Sequence, residues 1–161
     1  MNKRKAVWRT LNGKTFDQPI RDVLEDAIIF EKANGHQLKI CVGTDSQVYQ
    51  DCIVYATVVV VLRLGKGGFM FIRNDKEWSE CGIKERMLRE VTRSIEVAYS
   101  ICDLLDTYNI ALEVHADINT DPHFQSNKAL KEAMGYILGM GFVFKAKPHA
   151  FASSSCADKV V

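Results

Sequence analysis

The sequence has no apolar run long enough to span a membrane. Its 161 residues contain no uninterrupted stretch near the roughly 18 apolar residues that a spanning helix requires. The first segment, residues 1–9, is basic but lacks the apolar core of a secretory signal peptide. We therefore predict a cytoplasmic protein that does not contact a membrane.

Paired cysteines at metal-binding or redox spacing are also absent. The five cysteines, at positions 41, 52, 81, 102 and 156, are odd in number and widely spaced, and none belongs to a CxxC pair. This pattern favours reduced, mostly buried thiols over a disulfide framework or a zinc site.

The chain has neither a strong net charge nor a glycine-rich phosphate loop. The formal net charge is +1, so a case for nucleic acid or membrane binding must depend on local patches. The glycine cluster at 65–68 lacks the spacing of a P-loop and has no helix after it, which predicts a hairpin turn.

What the chain does contain is the composition of a soluble globular domain. Hydrophobic residues make up 47% of the sequence and charged residues 25%, and no long polar linker, repeat or low-complexity segment divides it. At this length we predict one domain over residues 1–161.

The spacing of apolar residues predicts an α/β fold. Short connections should make the first three strands an antiparallel meander, and helical crossovers should bring in the last two. The predicted strands of this five-stranded mixed sheet span 40–45, 52–64, 69–73, 110–117 and 142–146.

Helical periodicity accounts for most of the remaining chain. Asp17 is a plausible cap for the first helix, which precedes all five predicted strands. The predicted helices span 19–33, 83–107, 121–138 and 151–161.

Two of the predicted strands end in an aspartate. Asp45 follows the apolar run 40–42, and Asp117 closes the fourth strand. Parallel neighbouring strands would bring both carboxylates to one edge of the sheet, the usual ligand crevice of open α/β sheets. A carboxylate there is costly to bury unless it is paired, hydrogen-bonded or bound to a metal.

Two further acids can reach the same edge. Glu90 lies on the long helix, where small Ser94 and Ala98 would let the helix approach the sheet, and Asp158 lies on the last helix. Converging carboxylates stay ionised only with compensating cations, and all-oxygen sites suit Mg²⁺ or Mn²⁺. Glu85 is a rival to Glu90, and each acid alone could be a cap or a surface charge.

Three segments of the sequence are similar to the YkuK-type family within the ribonuclease H-like superfamily. They are 43–47 (GTDSQ), 115–119 (HADIN) and 147–154 (KPHAFASS). The resemblance covers nearly the whole chain and implies a ribonuclease H-like fold with an extra N-terminal helix. The wider superfamily further implies a two-metal hydrolysis of phosphodiester bonds.

Under this resemblance one aspartate bridges two metal ions, and the other acids complete the two coordination spheres. Asp45 would be the bridge, Glu90 and Asp117 would hold one ion, and Asp158 the other. The implied partner is nucleic acid, either RNA, an RNA–DNA hybrid or structured DNA. The alternatives are a binding module without turnover and, less well supported because phosphate loops are missing, a nucleotide-handling enzyme.

Several other residues are candidates for contacting a substrate. Lys147, His115 and His149 lie near the predicted site edge, although a satisfied core histidine is the more common role for a residue placed like His115. Trp78 either stacks on a base or packs against the protein. Basic residues on the front of the long helix could meet phosphates or only solvate the surface; they are Lys84, Arg86, Arg89 and Arg93.

Overall fold

The computed structural model describes residues 6–119 and 127–161, which form an α/β fold with one mixed sheet. The strand order is β2-β1-β5-β4-β3-β6-β7. The strands are β1 Trp8–Thr10, β2 Thr15–Phe16, β3 Leu38–Val48, β4 Ile53–Arg63, β5 Gly67–Glu77, β6 Ala111–Asn119 and β7 Val143–Lys147.

Three α-helices and one short π-helix accompany the sheet. They are α1 Ile20–Ala33, α2 Ile83–Thr107, α3 Asn127–Gly139 and the terminal π-helix Ala152–Ala157. The bounds predicted for α2 are those observed, and the predicted start of α3 at 121 lies outside the described residues. None of the described helices is both long and apolar enough to cross a membrane.

The predicted five-stranded sheet is two strands short. A hairpin of β1 and β2 pairs antiparallel with the outer edge of β5, with Arg9 opposite Ile72. Strands of three and two residues are too short to carry a detectable alternation, so only the open edge of β5 selects them. The meander and the two parallel crossover strands agree with the prediction.

Two local predictions are corrected by the backbone. Strand β3 does not end at Asp45 but continues to Val48, because its antiparallel pairing with β4 outlasts the apolar run. Asp17 does not cap α1, since Pro19 occupies the cap position and no side chain caps the helix.

The sheet has an apolar core on each face, which explains the continuous apolar runs of its central strands. Along β3, Ile40 and Val42 face the large core that α1, α2 and α3 cover. Cys41 faces the smaller core under the π-helix. All five cysteines are free thiols, but only Cys41 is buried, so the prediction of mostly buried thiols is wrong.

Small residues of β3 bring a helix close on either face. A Cβ at Gly43 would lie 2.5 Å from the backbone nitrogen of Ser153, so the π-helix rests directly on the strand. On the opposite face the Thr44 hydroxyl lies 2.8 Å from that of Ser94 on α2. These contacts position both helices over the end of β3 that carries Asp45.

Candidate metal centre

Asp45 and Asp117 lie side by side where β3 and β6 stop pairing. The parallel register ends with Thr44 opposite Ala116, and each aspartate is the next residue on its strand. Because alternate residues of a strand share a face, both side chains lie on the face covered by the π-helix. The structure thus brings these two predicted site residues together.

Asp158 and Glu90 reach this pair from the two helices. Asp158 directly follows the π-helix, and its carboxyl group is within hydrogen-bonding reach of Asp45. Glu90 is 7% exposed on α2 and accepts a hydrogen bond from the Ser46 hydroxyl. The rival Glu85 is exposed and pairs with Arg89 at 2.7 Å, so Glu90 is the helix acid of the group.

The carboxylates of Asp45 and Glu90 lack enough positive charge around them. Burial, helped by the charges of Asp117 and Asp158, raises the pKa of Asp45 to about 7, against the Ser46 amide, which donates a 2.9 Å hydrogen bond. Burial, helped by Asp45 and Asp117, raises the pKa of Glu90 to about 8, and the Ser46 hydroxyl and the charge of Arg86 only partly oppose this shift. Both shifts have the direction that desolvation and like charge produce.

Lys147 supplies a cation, but only to Asp117. Its ammonium nitrogen lies 2.7 Å from Oδ1 of Asp117. The contact is an ion pair without hydrogen-bond geometry, and this buried oxygen accepts no hydrogen bond from the residues that the structure describes. Lys147, predicted to bind substrate, therefore forms an ion pair with one of the four acids.

A second polar cluster lies on the same face, farther from the end of the two strands. The ligand atoms of Cys41, Glu113 and His115 all lie within 4.8 Å of one another, a spacing that no trio of the four acids reaches among the described residues. Its members could in principle hold a metal ion, since thiolate, carboxylate and imidazole are all metal ligands.

Hydrogen bonds fix the positions of the protons in this cluster. The Ala152 amide donates to Nδ1 of His115 at 3.1 Å, so Nε2 carries the proton and donates to Glu113 at 3.1 Å. The Cys41 thiol also donates to Glu113, and the Lys39 ammonium lies 3.0 Å from its other oxygen. A metal here would have to displace donors that satisfy every acceptor.

The pKa shifts of the cluster agree with this assignment. Burial raises the pKa of Cys41 to about 12 and lowers the pKa of His115. Burial alone would raise the pKa of Glu113, but hydrogen bonds from Lys39 and His115 outweigh it and lower that pKa. The cluster is therefore a neutral thiol and a neutral imidazole around one compensated carboxylate.

The two candidate histidines have different surroundings. His115 is 1% exposed, with both ring nitrogens engaged and its ring edge-on to Phe151 at 4.8 Å, so a substrate contact does not fit it. His149 is exposed in the segment before the π-helix. Sequence reasoning missed Ser46. The available signal was its position directly after Asp45, which turns its side chain to the opposite face of β3, toward Glu90 of α2.

Comparison with known proteins identifies the family of this chain. The sequence model of the ribonuclease H-like family matches residues 22–161. The chain belongs to the ribonuclease H-like family. It is also 28% identical over 152 residues to the uncharacterized protein YkuK of Bacillus subtilis (strain 168), covering 86% of this chain and 88% of that protein. No solved structure matches.

The family assignment confirms the resemblance expected from the three sequence segments. The matched region contains all four acids of the site and excludes the β1–β2 hairpin, which precedes residue 22. YkuK is itself uncharacterized, so its similarity to this ribonuclease H-like chain indicates no activity.

Proposed function

We propose that this ribonuclease H-like domain is a divalent-metal-dependent nuclease that hydrolyses phosphodiester bonds in RNA, an RNA–DNA hybrid or structured DNA. The supporting observation is the uncompensated negative charge at Asp45 and Glu90. Both carboxylates have raised pKa values and lie beside two further acids. A divalent cation removes both the desolvation cost and the repulsion.

The residues present fit Mg²⁺ or Mn²⁺. Every ligand atom is a carboxylate oxygen, the donor that these ions prefer, and Oδ1 of Asp117 accepts no hydrogen bond within the described residues. Asp45 interacts with each of the other three acids and would be shared between two ions. Glu90 and Asp117 would complete one coordination sphere and Asp158 the other.

Bound ions would supply charge neutralisation at the scissile phosphate and a more acidic attacking water. The chain's own residues supply orientation. The Ser46 hydroxyl holds the Glu90 carboxylate toward Asp45, and Gly43 lets the π-helix deliver Asp158. With an ion held by Asp117, Lys147 would be available to a phosphate oxygen.

Replacing the central acid tests this proposal. We expect Asp45→Asn to reduce Mg²⁺- or Mn²⁺-dependent cleavage at least about a thousandfold, because roughly 4 kcal/mol of charge stabilisation is lost from the transition state. The matched control is Asp51→Asn, an exposed aspartate in the β3–β4 turn. Unchanged cleavage by purified, folded Asp45→Asn protein would refute the assignment.

A second candidate function is nucleic-acid or protein binding without turnover. It is favoured by the Lys147 ammonium, which acts as a built-in counter-ion for Asp117, and by the loose spacing of the four acids. This function predicts that the wild-type protein binds nucleic acid and hydrolyses none of it in any divalent metal, whereas the nuclease predicts turnover.

A further inference from the structure

Trp78 is held in an exposed position on the rim of the site. Its side chain is 72% exposed in the segment between β5 and α2. Both neighbours are anchored to α2, since Arg89 donates to Glu77 at 2.7 Å and to Ser79 at 3.0 Å, and Arg93 also pairs with Glu77. The backbone on either side is therefore fixed while the indole faces solvent. A large exposed aromatic side chain on anchored backbone is typical of a contact surface.

Arg86 is the cation of α2 that the described residues leave without an ion pair. Lys84 pairs with Glu132 at 2.5 Å, while Arg89 and Arg93 both pair with Glu77. The guanidinium of Arg86 makes no such contact in the described part of the chain, and its buried Nε has no hydrogen-bond partner.

Both residues lie near the carboxylates. Arg86 precedes Glu90 by one helical turn, about 6 Å along the axis. Asp45 lies beside Ala56 and Asn74 across β3, β4 and β5. Trp78 follows the end of β5, four residues beyond Asn74, which is about 13 Å farther along the strands and about 10 Å across them. One bound nucleic-acid strand can therefore contact Trp78, Arg86 and the carboxylates.

We propose that Trp78 and Arg86 bind an unpaired segment of the nucleic-acid substrate beside the metal centre, with Arg86 on a phosphate and Trp78 stacked on a base. This inference rests on the proposed function for its substrate class and adds the single-stranded requirement. Bases inside a duplex are covered on both faces, so an indole stacks only on a base that is unpaired or splayed out.

The pairing of a cation with an aromatic ring favours nucleic acid over a protein partner. Guanidinium groups bind phosphate with charge-assisted hydrogen bonds, and aromatic rings stack on bases of any sequence. Sequence-tolerant binding with strong salt dependence is the expected result. A protein partner would require neither a phosphate nor a base.

Fluorescence of Trp78 tests the stacking contact directly. The chain has two tryptophans, and Trp8 is 6% exposed, so quenching by an added oligonucleotide reports on Trp78. We expect single-stranded oligothymidylate in EDTA to quench the fluorescence, and a blunt duplex of equal length to quench it far less. Trp78→Ala should weaken single-strand binding roughly tenfold, whereas Trp78→Phe, which keeps an aromatic face, should nearly restore it.

Matched variants separate this contact from general effects. Tyr99→Ala removes an aromatic residue of α2 that is 65% exposed, and it should leave affinity unchanged. Arg86→Gln should lower the salt slope of binding by about one, whereas Lys66→Gln, in the exposed β4–β5 turn, should not. Absence of quenching, or equal affinities of wild-type and Trp78→Ala protein, would overturn the proposal.

The binding assay is independent of hydrolysis. Asp45→Asn protein should retain the quenching even though it no longer cleaves. Binding without cleavage in the wild type would therefore contradict the nuclease and leave the single-strand site supported. Cleavage without quenching or any effect of Trp78→Ala would contradict the single-strand site alone.

Discussion

Two polar clusters lie along β3 and β6, and their internal balance of charge differs. The closed cluster consists of Lys39, Cys41, Glu113 and His115. There one carboxylate receives hydrogen bonds or an ion pair from three side chains. The open cluster consists of Asp45, Glu90, Asp117 and Asp158; Lys147 pairs with Asp117, and the charge of Arg86 partly offsets that of Glu90 without an ion pair among the described residues.

The difference supports the proposal that the open cluster, and not the closed one, binds a ligand. In the closed cluster the pKa of Glu113 is lowered, because its donors outweigh the cost of burial. In the open cluster the pKa values of Asp45 and Glu90 are raised by burial and by their neighbours' charge. Satisfied buried charge contributes to the fold, whereas unsatisfied buried charge at a sheet edge indicates a binding site.

After that of Asp45→Asn, the largest effect should come from the helix acid of the open cluster. Glu90→Gln should reduce metal-dependent cleavage at least about a hundredfold, because it removes one charge from the metal ligands, equivalent to roughly 3 kcal/mol. Glu85→Gln, on the same helix, should stay within about twofold of wild type because Glu85 only pairs with Arg89 at the surface. Equal losses in both variants would contradict the proposed ligand set.

The two clusters should respond oppositely to neutralisation when stability is measured. Glu113→Gln should lower the free energy of unfolding by roughly 1.5–3 kcal/mol, because it weakens charge-assisted hydrogen bonds inside the fold. Asp45→Asn in EDTA should leave that free energy unchanged or raise it, because a repelled charge disappears. Urea unfolding measures both, and destabilisation by Asp45→Asn comparable to that of Glu113→Gln would contradict the contrast.

The smallest effect is a dependence of metal-free stability on pH. The folded-state pKa values of Asp45, about 7, and Glu90, about 8, exceed the ordinary carboxyl range, so the folded state binds more protons than the unfolded state. Their contribution to stability is fully present below the ordinary carboxyl pKa of about 4, decreases as pH rises, and is lost above the folded-state pKa values of about 7 and about 8.

Thermal unfolding in EDTA across this pH window checks the sign. The melting temperature should fall by a few degrees as pH rises, and Mg²⁺ should reverse the loss by binding the ionised acids. The double variant Asp45→Asn, Glu90→Gln should flatten the dependence. A melting temperature that rises through the same window, with no response in the double variant, would show that the acids are already compensated.

Elements with long sequence patterns were predicted more accurately than elements with short ones. Helix α2 was predicted with its observed bounds, because apolar residues recur over 25 residues at helical spacing. The aspartates at 45 and 117 stood out because each comes after the apolar part of its strand. The β1–β2 hairpin was missed, since its strands are too short to show a period.

The closed cluster and the rim also lay beyond the reach of sequence reasoning. Cys41 and Glu113 are 72 residues apart along the chain, so their contact depends on the parallel register of β3 and β6. The role of His115 remained open until its two ring nitrogens could be assigned partners. For Trp78, only the structure could decide between packing and exposure.

By itself the sequence determined the local elements and the positions of the acids, because periodicity, turn residues and strand-terminal polarity are properties of neighbouring residues. Tertiary structure decided which charges are compensated, since compensation depends on distances between residues far apart in the chain. One pair of strands therefore carries both a satisfied polar core and an acidic site, and burial together with cross-strand partners distinguishes them.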